Sequence, residues 1–453
     1  MDGRVRRRLL AGLALVLTAD VAMAHRVGSR FDAPAPPALV FAGAGATVLA
    51  TAAWLARRGT DVADGDRRIG TLSARSVRVG RALLRGGFLL AVVGALFAGV
   101  VGTRTPAANP ALPFVWALWL KGIGLLAVLV GDPWPTLSPW RTVYDGLCRL
   151  EGRELSLRSY PDRLGSWPAV VGFVAVVGVA ENLSVVPRNP RLTAALVASY
   201  AALMLVGAVA FGPVWFRRAD AFGVLYRLLG RVAPLAWRPD EDGLLAVSLR
   251  APWAGCRRPV ADGGAAAFVV LAVATVSADG LTGSPEHAAA VERLRPAVGA
   301  YAGSAVFLGV LVGALALGAV TVVSMRQVAP SLAPSVGEVA RRFAPTVIPI
   351  AAAYEVAHNY AYVVGSAADS LALLGGAAVD PLGWLPLAWF WGSQVALIVA
   401  GHVVAVVAAH AVATDRAADR RAALRGHLPL VALMVAYTVV SLWIVSRPVV
   451  RSV

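Results

Sequence analysis

Long apolar stretches separated by short polar gaps fill the chain from residue 9 to residue 446. About eleven of these stretches approach the roughly 20 residues that an α-helix needs to cross a bilayer. Arginines collect in every second gap, as at Arg57 and Arg58 or at Arg217 and Arg218. Because basic residues stay on the cytoplasmic side, this alternation predicts an all-α, polytopic membrane helix bundle with its N-terminus inside.

The predicted spans divide the chain into four parts. The first span follows Arg8, and the others cover residues 37–56, 86–102, 112–131, 168–186, 192–214, 263–281, 299–325, 344–364, 387–413 and 428–446. Residues 1–24 form a signal peptide or a first transmembrane helix, residues 25–214 a first helix group, residues 215–262 a cytoplasmic segment and residues 263–453 a second helix group. Within the cytoplasmic segment, residues 219–235 resemble a basic amphipathic helix that lies on the inner surface. Trp134 and Trp140 should sit at the level of the headgroups.

The first apolar stretch has two interpretations. Arginines, an apolar run and Ala22-Met23-Ala24 fit a cleavable signal peptide, and its removal would leave ten spans. Cleavage would make His25 the new amino terminus, whose amine and imidazole can chelate copper. Alternatively, the stretch stays in the membrane and His25 is incidental.

Composition agrees with a bilayer environment. The chain has 58% hydrophobic and 15% charged residues, which leaves too little polar surface for a soluble protein of 453 residues. Its net charge of +16 is spread over helix ends rather than gathered on one basic domain. This distribution predicts attraction to anionic lipids at the inner face of the cytoplasmic membrane and argues against nucleic-acid binding.

The ionisable residues inside the spans are the candidate functional residues. A charge at the bilayer centre costs at least about 2.5 kcal/mol, so it usually has a partner or a task. Lys121, near the middle of span four, is the only lysine in the chain. Burial can make a lysine neutral, which suits a proton acceptor, and a structural ion pair is the alternative. Glu181 and Asp279, near the outer ends of their spans, either partner Lys121 or cap helices.

Spans nine and ten carry the candidate ligands of a metal or haem. Glu355 and His358 are three residues apart and therefore share one helix face. His402 lies at a similar depth on the next span, with Gln394 beside it and His410 closer to the inner surface. Such residues could ligate a transition metal, hold a haem or relay protons. The alternative is a hydrogen-bonded network that fixes helix packing. We predict catalytic roles for Lys121 and Glu355.

The order of several short motifs is similar to that of a known family. They are Asp132-Pro133-Trp134, Phe211-Gly212 with Trp215, Ala221-Phe222, Ser277-Ala278-Asp279-Gly280, Ala353-Tyr354 with Ala357-His358, and Gln394 with Gly401-His402-Val403. From span four onward the chain resembles an uncharacterised family of polytopic membrane proteins of actinobacteria and archaea, commonly labelled fenitrothion hydrolase-like. The label implies organophosphate hydrolysis, although the sequence has neither a binuclear metal cluster nor a nucleophile elbow. Family members continue with Ala-His-Asp where this chain has Ala409-His410-Ala411.

Three classes of function follow from these residues. The first is a membrane-embedded metal or haem protein with a redox or hydrolytic role and a small-molecule or ion ligand. The second is a proton-coupled secondary transporter, since ten spans divide into two groups of five with opposite orientation. The third is a non-catalytic scaffold or assembly factor in which the polar residues only satisfy one another.

Overall fold

The computed structural model describes residues 35–58, 65–239, 244–282 and 284–447. The first predicted span, the alternative signal peptide and His25 lie outside these residues.

The described chain is an all-α bundle, as the apolar stretches predict. Eight of its helices are long and apolar enough to cross a membrane. These are Pro37–Arg57, Ala74–Val101, Pro113–Val130, Pro190–Phe211, Gly263–Leu281, Pro285–Val328, Leu387–Thr414 and Arg420–Val445. Pro285–Val328 is counted here as one helix, although a 3₁₀ turn at Gly299–Tyr301 divides it into the two helices numbered below. Predicted spans five and nine fall on two further helices, the shorter Trp167–Glu181 and the 26-residue Ile348–Leu373.

We number the helices in chain order. They are α1 (Pro37–Arg58), α2 (Ala74–Val101), α3 (Pro113–Val130), α4 (Trp134–Leu137), α5 (Pro139–Glu151), α6 (Trp167–Glu181), α7 (Pro190–Phe211), α8 (Val214–Arg218), α9 (Ala221–Leu229), α10 (Gly263–Leu281), α11 (Pro285–Val298), α12 (Ala302–Val328), α13 (Val336–Phe343), α14 (Ile348–Leu373), α15 (Leu387–Thr414) and α16 (Arg420–Val445). Short 3₁₀ helices span Pro106–Ala108, Asp162–Leu164, Val186–Arg188, Gly230–Val232, Ala254–Arg257, Gly299–Tyr301, Pro330–Leu332 and Ala344–Val347.

Two segments that the sequence assigns to cytoplasmic gaps form a small antiparallel sheet. Strand β1 (Arg67–Leu72) pairs with β3 (Leu245–Leu249), and β2 (Leu235–Pro239) pairs with the other edge of β3. In this register Leu249 of β3 lies opposite Arg67 of β1 on one side and opposite Leu235 of β2 on the other. The sheet therefore ties the gap after α1 to the gap after α9, which the sequence analysis did not predict.

Packing of the long helices places the polar residues of α14 at the centre of the bundle. Helix α14 lies against α15 and against the first half of α3, while α10 also contacts it. Helix α1 packs against α15 and α16, the last two helices of the chain. The residues of α14 that face these neighbours include Glu355 and Asn359, both buried.

The predicted surface helix is buried instead. In α9, Phe222, Val224 and Tyr226 are among the residues removed from solvent, so the expectation of a helix lying on the inner surface was wrong. Trp134 and Trp140 are also buried within the protein, so their indoles are not exposed to lipid headgroups. Together with Phe222 and Tyr226 they form an aromatic cluster. This cluster fills the space between α3, α7 and α9.

Candidate functional site: a buried ionic centre

Lys121 forms an ion pair with Glu181 in the interior of the bundle. Its Nζ lies 3.0 Å from Glu181 Oε1, and both side chains are more than nine-tenths buried. The sequence left open whether Glu181 partners Lys121 or caps a helix, and the structure assigns it as the partner. The pair joins α3 to α6.

Both members of this pair sit on π-helical turns. The first half of α3, Pro113–Gly122, is π-helical and carries Lys121 near its end. The second half of α6, Val174–Glu181, is also π-helical and ends at Glu181. In a π-helix each turn holds an extra residue, which rotates the following side chains, and such turns are frequent at functional sites. Here the extra residue changes the direction in which each charged side chain leaves its helix.

A small cavity adjoins the ion pair; eight apolar and six polar residues line it, and we call it the polar cavity after the latter. Its volume is about 30 Å³, and its polar lining residues come from α3, the residue after α6, α10 and α14: Lys121, Asn182, Thr275, Asp279, Glu355 and Asn359. A water needs about 10–15 Å³ of such space, so the cavity has room for about two waters. Thr275 Oγ1 and Asn359 Oδ1 are buried and have no hydrogen-bond partner among the residues that the structure describes. Such atoms are positioned to bind water or an ion.

Asp279 connects this cavity to His358. Its Oδ2 lies 3.1 Å from His358 Nε2, and Asp279 itself lines the cavity. Glu355 and His358 are three residues apart and lie on one face of α14. Glu355 lines the cavity directly, and His358 contacts Asp279, which also lines it. We call Lys121, Glu181, Asp279, Glu355 and His358 the ionic centre.

The ionic centre contains more acidic than basic groups. Three carboxyl groups, those of Glu181, Asp279 and Glu355, act electrostatically on the single amine of Lys121. In the bilayer interior an excess of negative charge is costly. Such an excess calls for compensation by protons or bound cations. The arrangement suits proton binding and release.

His402 and Gln394 do not reach the ionic centre. His402 is fully buried in α15, where its Nδ1 lies 2.8 Å from the carbonyl of Ile398 and its ring packs against Tyr437. Gln394 is buried on the same helix, and neither residue lines the polar cavity. Lys121 and Glu355 therefore line one cavity and His358 reaches it through Asp279, whereas His402, predicted at a similar depth, does not line it.

His410 lies beside His427, a residue that the sequence analysis did not single out. Their ring centroids are 5.4 Å apart across the α15–α16 pair. Within the described residues there is no group of three or more His, Cys, Asp or Glu side chains that could hold a metal ion. Glu355 and His358 belong to the ionic centre, whereas His402 and His410 lie elsewhere on α15, so the four predicted ligands are not gathered in one place. A bound metal or haem stays a prediction.

Asp220 is a buried polar residue that the sequence analysis missed. Its carboxylate accepts hydrogen bonds from the indoles of Trp134 and Trp140 at 2.8 Å and from the hydroxyl of Tyr200 at 2.9 Å. The same side chain caps α9 by accepting from the N–H of Phe222. An aspartate directly before an apolar helical run is an N-cap signal, so its position could have been predicted although its tryptophan partners could not.

No family model, curated protein or solved structure that was compared with the chain matches it. The resemblance drawn from the short motifs therefore stays a prediction.

Proposed function

We propose that the protein is a proton-coupled secondary transporter and that the ionic centre is its proton-binding site. The observation that carries this proposal is the Lys121–Glu181 pair at 3.0 Å beside a cavity that also holds Glu355 and Asp279. Intramembrane ionisable residues of this kind mark ion pathways and proton relays in transporters.

The size of the cavity favours protons over a larger ligand at this position. A space for about two waters admits no organic substrate, but waters can connect Lys121, Glu355 and Asp279. Protonation of one carboxyl would weaken its hold on Lys121, and the two π-helical turns give α3 and α6 an alternative hydrogen-bond register. Proton binding is thereby linked to helix geometry, as coupling in a transporter requires.

The cytoplasmic membrane is the membrane in which we place this activity. The arginine-rich gaps and the sheet that joins two of them would lie on the inner side, where anionic lipids attract basic segments. Glu181 and Asp279, near the other ends of their helices, would then open toward the outer side.

A pH step applied to reconstituted protein on a solid-supported membrane tests the proposal. We expect the wild type to give a transient charge displacement when protons bind, and we expect Glu355→Gln to reduce it about tenfold because the variant lacks one proton acceptor. Glu292→Gln is the matched control, since Glu292 is exposed on α11.

Three outcomes would overturn the proposal. The first is a wild type that shows no displacement, which would favour a scaffold. The second is a displacement driven by Na⁺ rather than by protons. The third is one metal ion or haem retained per purified chain, which would favour the redox or hydrolytic role.

A further inference from the structure

A second cavity, unlike the polar one, lies between α10, α12, α13 and α16. Its volume is about 350 Å³, within the range of about 300–1,000 Å³ that ligand pockets have. Small and aliphatic side chains line it, among them Val270, Gly318 and Met434. Leu317 and Val323 also line this cavity and are exposed on α12. We call it the apolar groove, and its exposed side would face the hydrocarbon of a bilayer.

The inner end of the apolar groove is basic. Met325 lines this end, and the next residue is Arg326, whose guanidinium donates to the carbonyl of Pro334 at 3.4 Å. Val336 and Gly337, the first two residues of α13, line the groove as well. Arg326 is therefore held beside both the groove and the N-terminal turn of α13.

Two further arginines strengthen the positive charge at this end. Arg341 and Arg342 of α13 share Glu338, at 3.1 Å and 2.8 Å. Counting Arg326, which bonds the carbonyl of Pro334 just before α13, the segment beside the groove carries three arginines and one glutamate, so its net charge is 3 − 1 = +2.

We propose that the apolar groove binds one anionic phospholipid of the inner leaflet. Its acyl chain lies along α10, α12 and α16, and its phosphate lies near Arg326 and the start of α13. An apolar channel that opens to the bilayer and ends in net positive charge matches the chemistry of such a lipid. A zwitterionic lipid would fill the groove but would not match the charge.

Helix α10 links this site to the interior of the bundle. Val270 and Ala274 line the apolar groove, whereas Thr275 and Asp279 of the same helix line the polar cavity. A lipid chain against α10 therefore supports the helix that presents Asp279. The binding proposal itself depends on the groove and its charge alone.

Native mass spectrometry of the full chain in detergent, with phosphatidylglycerol or phosphatidylcholine added, tests the proposal. We expect one tightly bound phosphatidylglycerol per chain. Arg326→Gln should weaken its binding about fivefold, since one basic residue near the surface contributes about 1 kcal/mol. Gly318→Leu should weaken it more, because the added side chain occupies the groove.

Matched variants separate the groove from general effects. Gly313→Leu lies on the same helix at a position with open space around it, and Arg149→Gln removes an exposed arginine elsewhere. Both should bind phosphatidylglycerol as the wild type does. Equal binding by Arg326→Gln and the wild type, equal retention of phosphatidylcholine, or a groove closed by a second copy of the chain would overturn the proposal.

Discussion

Lys121 and Glu181 form an ion pair in the protein interior, where bulk water cannot replace either partner. Loss of one member of a buried pair costs about 3–5 kcal/mol, whereas replacement of both members by apolar groups is often neutral. We expect Lys121→Met to lower the free energy of unfolding by about this amount and the double variant with Glu181→Met to recover most of it. Unfolding in detergent, followed by tryptophan fluorescence, measures both values.

An exposed ion pair provides the control for this comparison of single and double variants. Arg153 and Glu151 form a pair at 3.3 Å on the surface, with side chains 74% and 51% exposed. Methionine at either position should change the unfolding free energy by less than about 1 kcal/mol. A double Lys121/Glu181 variant less stable than both single variants would contradict the pairing.

Asp132, outside the spans, gives the protein a predictable response to pH. Burial raises the pKa of its carboxyl from 3.8 to about 6, although the N–H of Trp134 and the charge of Arg227 act in the opposite direction. A raised carboxyl pKa stabilises the fold at low pH. The contribution is complete below pH 3.8 and is lost as the pH rises through about 6.

Comparison of the wild type with Asp132→Asn isolates this effect. The asparagine does not titrate, so the stability of the wild type relative to the variant should fall between pH 4 and pH 7, by up to about 3 kcal/mol. Thermal unfolding at several pH values measures the difference. A difference that is constant with pH, or one that rises with pH, would refute the assignment.

The residues of the ionic centre were partly predictable. Lys121 and Glu355 were found because a charge inside an apolar span is conspicuous. His402 was misplaced because counting residues along a helix gives the depth of a side chain but not its direction around the axis. The π-helical turns before Lys121 and Glu181 change that direction further, and no residue pattern in the sequence indicated them.

At the scale of elements, α14 and α15 pack unusually closely where Gly401 faces α14. A Cβ built at Gly401 would lie 2.4 Å from Ala353 Cβ and 2.7 Å from the carbonyl oxygen of Pro349. Small residues at such crossings let helix backbones approach in membranes. The motif residues Ala353 and Gly401 thus have a packing role that their spacing in the sequence did not reveal.

Substitution at this crossing should separate the two helices. We expect Gly401→Ala to lower the free energy of unfolding by about 1–3 kcal/mol, since overpacking displaces backbone. Gly392→Ala, on the same helix with nothing near its Cβ position, should be neutral or slightly stabilising because alanine favours the helix. Denaturant unfolding compares the two, and equal stability of both variants would contradict the close approach.

The hydrophobic pattern predicted the long helices well, because length and apolarity suffice to identify a helix in lipid. It failed for α9, whose arginines indicated an exposed face. In the structure Arg227 donates to the carbonyl of Arg217, and Arg231 donates to the carbonyl of Pro259. These bonds let the helix bury its apolar side against the bundle. The sheet was missed because its strands come from gaps about 170 residues apart in the chain, a distance that local patterns do not span.

At the scale of the whole molecule, the last helices close the bundle onto its first described helix. Helix α1 contacts α15 and α16, and Arg420 at the start of α16 donates to the carbonyls of Ala56 and Arg57 at the end of α1. These contacts place the ends of α1 and the start of α16 on one side. That side also carries Arg57 and Arg421, the kind of basic residues that the positive-inside rule predicts for a cytoplasmic face.

The predicted orientation of the molecule in the membrane can be tested independently of the proposed activity. In a chain with Cys148 and Cys256 replaced by alanine, a cysteine at Glu292 on α11 should react with a membrane-impermeant maleimide in intact cells. A cysteine at Arg153, in an arginine-rich gap, should react only after permeabilisation. Both positions are exposed in the structure, so accessibility reports the side of the membrane rather than burial. The distribution of arginine predicts this orientation. If only Arg153→Cys were labelled in intact cells, the bundle would have the opposite orientation, and the basic end of the apolar groove would lie against the outer leaflet.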